Sequence, residues 1–237
     1  MHETPTNAPL PAFADPAERE RINAAHAQNG VVLIDPKATY IGAQVRIGPG
    51  TVLYPGNVLE GQTTVGANCT LLPNNRLRDT RVADGVTLES VVAVGAEVGA
   101  GTSVGPFAFL RAGAKVGAGC RIGDFVEIKN STVGDLTRIS HLTYVGDADL
   151  GEDINLGCGV VFVNYDGKHK HRARVDDRAF IGCNVNLISP VRVGKDAYVA
   201  AGSTVTDNVP DASLCIARER QVVKEGWVQE RKKEGKL

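Results

Sequence analysis

Residues 98–128 read VGAGTSVGPFAFLRAGAKVGAGCRIGDFVEI, and their spacing decides the fold. Val98, Val104, Leu110, Val116, Ile122 and Ile128 fall six positions apart, and Gly follows most of them (Gly99, Gly105, Gly117, Gly123). A half-buried strand alternates every two residues and a helix repeats every ~3.6, so neither gives this pattern. A six-residue period held this long is the mark of a parallel β-helix. Each hexad supplies one short strand and a corner. The aliphatic side chain points into the coil, and Gly eases the corner backbone. Three hexads close a triangular coil, and coils stack about 4.8 Å apart, like strands in a sheet.

The repeat runs outward from this stretch in both directions. Upstream it holds Ile41, Ile47, Leu53, Leu59, Val65, Leu71 and Leu77, then slips between residues 78 and 97. Downstream it returns at Val175, Ile181, Leu187, Val193, Val199 and Val205. Small or branched residues recur four places after the aliphatic one: Thr51, Cys69, Ala108, Cys120, Val126, Ala179 and Ser203. A single coil cannot bury its own apolar side, so stability comes from neighbouring coils. Flat faces poor in aromatics also pack well on copies of themselves, which favours a homo-oligomer.

Residues 1–14 are polar and proline-rich and read as a flexible tail. A helix is expected next, with Asp15 as N-cap, Pro16 in the first turn, Glu18 closing a capping box and Asn29-Gly30 ending it. VVLID then reads as a short strand stopped by Pro36. The expected organisation is a tail and linker helix (1–40), a β-helix (41–210) with a loop projecting at 163–174, and an extension (211–237).

Composition narrows the function. The 237 residues are 43% hydrophobic but only 5% aromatic, so Val, Ile, Leu and Ala must fill the core. A net charge of −1 gives no global field to gather nucleic acid or a membrane surface, and any anionic ligand must be met by local groups. The opening MHETPTNAPLPAF has neither the basic start nor the apolar run of a secretion signal. No apolar stretch approaches the ~20 residues of a membrane span. Cys69, Cys120, Cys158, Cys183 and Cys215 are odd in number and form no C-x-x-C pair. That speaks against a disulfide framework or a zinc site and for reduced thiols in the cytoplasm.

Two zones break the period, and polar residues of unusual kinds gather there. Between Phe162 and Val175 lies a basic insert with Asn164, Tyr165, Asp166, Lys168, His169, Lys170, His171 and Arg172. Inserts in a solenoid become loops on one face, often the binding face. Just upstream, FVEIKNSTVGDLTRISHLTYVGDADLGEDINLG drops a residue twice and carries Glu127, Lys129, His141, Tyr144 and Asn155. Arg111 and Lys129 are suited to holding a phosphate, Arg by paired planar contacts and Lys as a point charge. Tyr144 and Asn155 can orient hydroxyls, and a histidine such as His141 can move a proton near neutral pH.

The segments GPFAFLRAGAKVGAGCRIGDFVEIKNSTVG, SHLTYVGDADLGEDINLGCG and NYDGKHKHRARVDDRAFIG resemble the C-terminal domain of the bifunctional N-acetylglucosamine-1-phosphate uridyltransferase / glucosamine-1-phosphate N-acetyltransferase family. The likeness runs from about Arg21 to the KEGW motif, and HLTYVGD with NYDG is its most specific part. It implies an all-β, left-handed parallel β-helix, a homotrimer with sites between subunits, and acetyl transfer from acetyl-CoA to the amine of glucosamine 1-phosphate. The catalytic histidine falls on His141. The phosphosugar positions fall on Arg111, Lys129, Tyr144 and Asn155, with loop residue Lys170 reaching a neighbouring subunit's site. The acetyl-CoA positions fall on Cys158, Asn164, Tyr165, Cys183, Ala201 and Arg218. The family's usual Ala stands as Cys158 and its usual Ser as Cys183, and its Ser-Arg-Val-Pro-Gln stretch reads Ala217-Arg218-Glu219-Arg220-Gln221 here. No glycine-rich nucleotide loop is present, so uridyltransferase activity is not expected.

Acetyl transfer needs a neutral amine and hence a base of matched pKa, the role expected of His141. Glu127 is expected to orient the imidazole or to serve the acceptor. Direct attack on the thioester needs no metal and no acyl-enzyme on Cys158 or Cys183. Three other readings stay open: an acetyltransferase for another amino sugar, a non-catalytic trimeric β-helix that only binds, and a zinc lyase of the gamma-carbonic-anhydrase kind using His141, His169 and His171.

Overall fold

The computed structural model describes residues 11–237. Helix α1 (Pro16–Gln28) starts at the expected N-cap, where Asp15 Oδ1 accepts from the Ala17 N–H at 2.9 Å. Glu18 does not close a capping box. Its carboxylate is taken by Arg21 one turn on, at 2.6 and 2.8 Å. Asn29 caps the helix, and Gly30 follows at φ +84°. The tail expected over 1–14 lies outside the described residues as far as residue 10. Beyond that, Ala12–Ala14 form a short 3-10 turn, and Phe13 packs edge-on against Tyr40, ring centroids 5.9 Å apart. Pro36 does not merely stop the strand Val32–Leu33. It opens a 3-10 turn whose N–H groups are capped by Asp35.

All ladders that follow are parallel, and they form a solenoid of about ten coils with three faces, in keeping with a left-handed β-helix. The first face has eleven strands, from Val32–Leu33 to Leu214–Cys215. The second has ten, from Tyr40–Ile41 to Thr204–Val205, and the third nine, from Arg46–Ile47 to Arg192–Val193. Each face repeats one register: Leu110, Ile128 and Val145 align on the second face, with all three fully buried. Burying an Ile or Leu side chain stabilises the fold by about 1.5–3 kcal/mol, and the stack repeats this at every coil.

The four-place positions turn inward at the corners. Thr51, Cys69, Ala108, Cys120, Val126, Ala179 and Ser203 are all buried. Where such a residue is polar, it is satisfied along the stack. Asn75 Nδ2 donates to Asn57 Oδ1 at 2.8 Å, and Thr102 Oγ1 donates to Gly117 O at 2.7 Å.

The corner joining the first face to the second has positive φ at every coil shown here: Asn74 (68°), Ser90 (49°), Phe107 (59°), Phe125 (54°), Leu142 (48°) and Asn184 (54°). Asn tolerates that region, but Phe and Leu do so at a cost of about 1–3 kcal/mol each. Phe107, Phe125 and Leu142 are nonetheless more than half exposed, and the two rings stack at 5.6 Å.

The extension carries two elements. Leu214–Cys215 adds a last strand to the first face, and α2 (Trp227–Lys233) is a second helix with no buried residue. Among the described residues no helix is long and apolar enough to cross a membrane.

Candidate active site

Strand alternation turns Glu127, Lys129 and Tyr144 outward on the second face, because Ile128 and Val145 between them point into the coil. Arg111 follows the strand Phe109–Leu110 and donates from Nη1 to Glu127 Oε1 at 2.8 Å. Glu127 therefore holds Arg111 and does not orient His141. Tyr144 lies back along its own strand over Gly146. A Cβ at Gly146 would collide with the Tyr144 hydroxyl and stand 2.7 Å from ring atom Cε1. Gly146 is also the register partner of Lys129, so the phenol leans toward that ammonium.

At the far edge of this face Lys129 Nζ stands 3.5 Å from Asp147 Oδ2. Asp147 is fixed by the side-chain amides of Asn130 and Asn164. Burial pushes its carboxyl up, but those two hydrogen bonds and Lys129 outweigh burial and hold it below the usual carboxylate range. Lys170 arrives from the loop beside Lys129. The nearness of Lys170, with Asp147 adding to it, holds Lys129 above its ordinary value, and the nearness of Lys129 pulls Lys170 below its own. The field of Arg111 acts on Lys170 in the same sense. Three cations thus converge on two carboxylates, and an anion placed among them would relieve the repulsion.

The loop is built to deliver Lys170. Tyr165 and Lys170 form an antiparallel bridge. Asp166 Oδ1 accepts from the N–H groups of Lys168 (2.7 Å) and His169 (2.6 Å), and Oδ2 meets His171 Nε2 at 2.7 Å. The His169 N–H bond first, then His171 and the Lys168 N–H, hold the Asp166 carboxyl well below the usual range. In the single chain Lys170 lies beside its own chain's Lys129.

His141 ends the strand Arg138–His141 at the corner between the first and second faces, its side chain 54% exposed. Its partner one coil back is Asp124, which ends Arg121–Asp124. The two side chains meet, His141 Nδ1 to Asp124 Oδ1, at 2.6 Å. That bond holds the Asp124 carboxyl below its ordinary range.

The same register runs on past His141. Ile139 pairs with Leu156, Leu156 with Ile181, and Ile181 with Val199. Two places further along each strand, His141, Cys158, Cys183 and Ala201 therefore fall in one line up the corner. Arg218 joins that line by donating from Nε to Ala201 O at 2.9 Å. Four of the six acetyl-CoA positions expected from sequence share one edge with the expected base. Asn164 does not: it is buried and spends its amide on Asp147, while Tyr165 sits in the loop with its hydroxyl on Gly167 O. Asn155 faces out on the first face, in register with Arg138, apart from the row of Arg111, Glu127, Lys129 and Tyr144 on the second.

Two residues of the site went unread in the sequence, Asp124 and Asp147. Asp124 had a signal, since the coil from Arg121 to Arg138 is one residue short of three hexads and so sets Asp124 beside His141. Asp147 closes the HLTYVGD segment, yet an Asp in a V-G-D-A corner reads as turn chemistry and suggests no ligand role. Among the described residues no group of three or more His, Cys, Asp or Glu is arranged to hold a metal.

A triangular coil of hexads, with a polar row on one face and a histidine at its corner, defines a hexapeptide-repeat β-helix. The bacterial transferase hexapeptide family model matches residues 95–130. Over most of its length the chain matches the C-terminal halves of bifunctional GlmU proteins. It is 54% identical over 213 residues to the bifunctional protein GlmU of Clostridium acetobutylicum, covering 90% of this chain and 47% of that protein. It is 54% identical over 217 residues to that of Geobacillus sp. WCH70, covering 92% and 47%. The chain thus spans about half the length of these relatives. Among solved structures it is similar to the UDP-N-acetylglucosamine acyltransferase of Francisella novicida, with a TM-score of 0.56 and 18% identity over 78% of this chain and 67% of that one. That likeness is one of fold.

Proposed function

We propose that this chain is a glucosamine-1-phosphate N-acetyltransferase using acetyl-CoA. The match to the C-terminal halves of the bifunctional relatives supports this, together with the motifs HLTYVGD and NYDG. The observation on this chain that supports the reading best is the convergence of Arg111, Lys129 and Lys170 on the face that ends at His141. A cluster of three cations with two carboxylates suits a phosphate monoester better than a neutral sugar.

In this reading the cations anchor the phosphate, and that binding energy fixes the distant amine. Tyr144 orients the sugar. Acetyl-CoA lies along the corner of Cys158, Cys183, Ala201 and Arg218, which brings its thioester toward His141. His141 takes the amine proton as nitrogen attacks the carbonyl, and backbone N–H groups at the corner steady the oxyanion.

The working form is a homotrimer in the cytoplasm. The exposed ridge of Phe107, Phe125 and Leu142, and the exposed Val222, Val223 and Trp227 of the extension, supply apolar surface for neighbouring copies. Asn155, alone on the first face, then completes a neighbour's site. The deciding experiment measures kcat/KM for glucosamine 1-phosphate and for glucosamine. A strong preference for the phosphorylated acceptor is expected, and equal values would overturn the reading.

A further inference from the structure

We propose that Asp124 is a positioning residue for acetyl transfer, fixing His141 as the Nδ1–H tautomer with Nε2 free as the proton acceptor. This rests on the acetyltransferase reading above and goes beyond it, since Asp124 is not among the residues that the resemblance supplies.

Three observations carry the inference. First, the contact is tight and specific: Nδ1 of His141 meets Oδ1 of Asp124 at 2.6 Å. An ionised carboxylate can only accept, so a neutral imidazole in this contact must carry its proton on Nδ1. Second, the contact is built by the coil length. Asp124 and His141 are Cα partners on adjacent strands, because the intervening coil drops a residue. Third, among the described residues His141 is Asp124's one side-chain hydrogen-bond partner and the largest cause of its lowered pKa. A structural corner aspartate here looks different. Asp84 and Asp135 cap backbone N–H groups of Ala67 and Ala118 one coil back.

The groups facing His141 along the stack are Asp124 from the coil before and, by register, Cys158 from the coil after. With Nδ1 tied to Asp124, Nε2 is the nitrogen left for the acceptor amine. As the amine nitrogen bonds to the thioester carbonyl carbon, its proton passes to Nε2. The C–S bond then breaks, and the departing CoA thiolate takes the proton from Nε2, which restores the neutral Nδ1–H imidazole. The carboxylate accepts throughout and is never itself protonated, the division of labour known for Asp-His pairs in serine proteases.

The test has two arms. The first needs no turnover. Protein with 15N-labelled imidazoles is examined by NMR at a pH where the rings are neutral, with His141→Ala identifying the His141 signals among the five histidines. The expected result is the Nδ1–H tautomer in the parent and a shift toward Nε2–H, the form free imidazole side chains favour, in Asp124→Ala. An Nε2–H tautomer in the parent overturns the proposal. The second arm is kinetic. Asp124→Ala should lower kcat about 10–100-fold, part of what a general base contributes, with both KM values within about threefold of the parent. Asp124→Asn, which keeps a partner but can accept or donate, should fall between. An Asp124→Ala enzyme with kcat within twofold of the parent overturns the proposal. A parent with the Nδ1–H tautomer but no acetyl transfer to any amino sugar instead sinks the acetyltransferase reading, which keeps the two failures apart.

Discussion

Gly146→Ala is a direct way to disturb the acceptor side without touching charge or the core. Gly146 lies on the second face with Tyr144 folded over it, and it has no positive φ, so Ala suits its backbone. The new methyl would collide with the Tyr144 hydroxyl and lie 2.7 Å from Cε1, where ordinary contact begins near 3.4 Å. The atoms struck are the far end of one side chain, so the ring gives way and the strand does not. The phenol leaves its place beside Lys129. One neutral hydrogen bond to the sugar is worth about 0.5–1.5 kcal/mol, so kcat/KM for glucosamine 1-phosphate should fall roughly 2–13-fold. Replacing Gly by Ala in a strand adds about 0.5–1 kcal/mol of stability, which offsets the strain, so the melting temperature should hardly move. The assay pairs steady-state kinetics with thermal melting, and includes Tyr144→Phe as the variant that removes only the hydroxyl. Unchanged kcat/KM in Gly146→Ala, with Tyr144→Phe clearly impaired, would refute the placement of the working phenol over Gly146.

His141→Ala should lower kcat by the ~10²–10⁴ typical of a lost general base, with little change in acetyl-CoA binding and a defect that shrinks as pH rises and free amine accumulates. A half-exposed histidine should not carry the fold, so melting should stay near the parent's. Lys129→Ala should cost about 1.5–3 kcal/mol in kcat/KM for glucosamine 1-phosphate and far less for unphosphorylated glucosamine. Because Lys129 pulls the Lys170 pKa below its ordinary value, Lys170 is the first of the pair to lose its proton as pH rises. KM for the phosphosugar should therefore worsen on the alkaline side, and Lys170→Arg should remove that drift. In the core, Ile139→Ala takes a fully buried side chain out of the first face and should cost about 2–5 kcal/mol, seen as a lower urea midpoint.

Most of the fold was legible because one rule repeats. A six-residue period names the inward residue at every coil, and Val104, Leu110, Val116, Ile122 and Ile128 are all buried as the period requires. The misreadings fell where no period operates. Glu18 was free to choose Arg21 over the helix terminus, and the extension, for which no element was read, carries α2 from a charged segment whose helical tendency is only local. In the site, His141, Lys129 and Lys170 announced themselves by breaking the pattern. Glu127 was given the wrong partner because nearness along the chain hid the stacking that pairs it with Arg111. Asp124 required counting residues per coil across the shortened turn.

The loop interrupts a coil but leaves the stack intact. Phe180 pairs with Asn155 on the first face although 25 positions separate them, and Val161 pairs with Asn186 on the second as if nothing lay between. The cation from the loop and the histidine from the corner thus belong to parts that need not change together. The rod keeps time, and the loop is free to be lengthened, traded or recharged without a single rung of the ladder shifting. In such a molecule the loop's share of acceptor binding can change while the corner that carries His141, and the face that carries Arg111, Lys129 and Tyr144, keep their places.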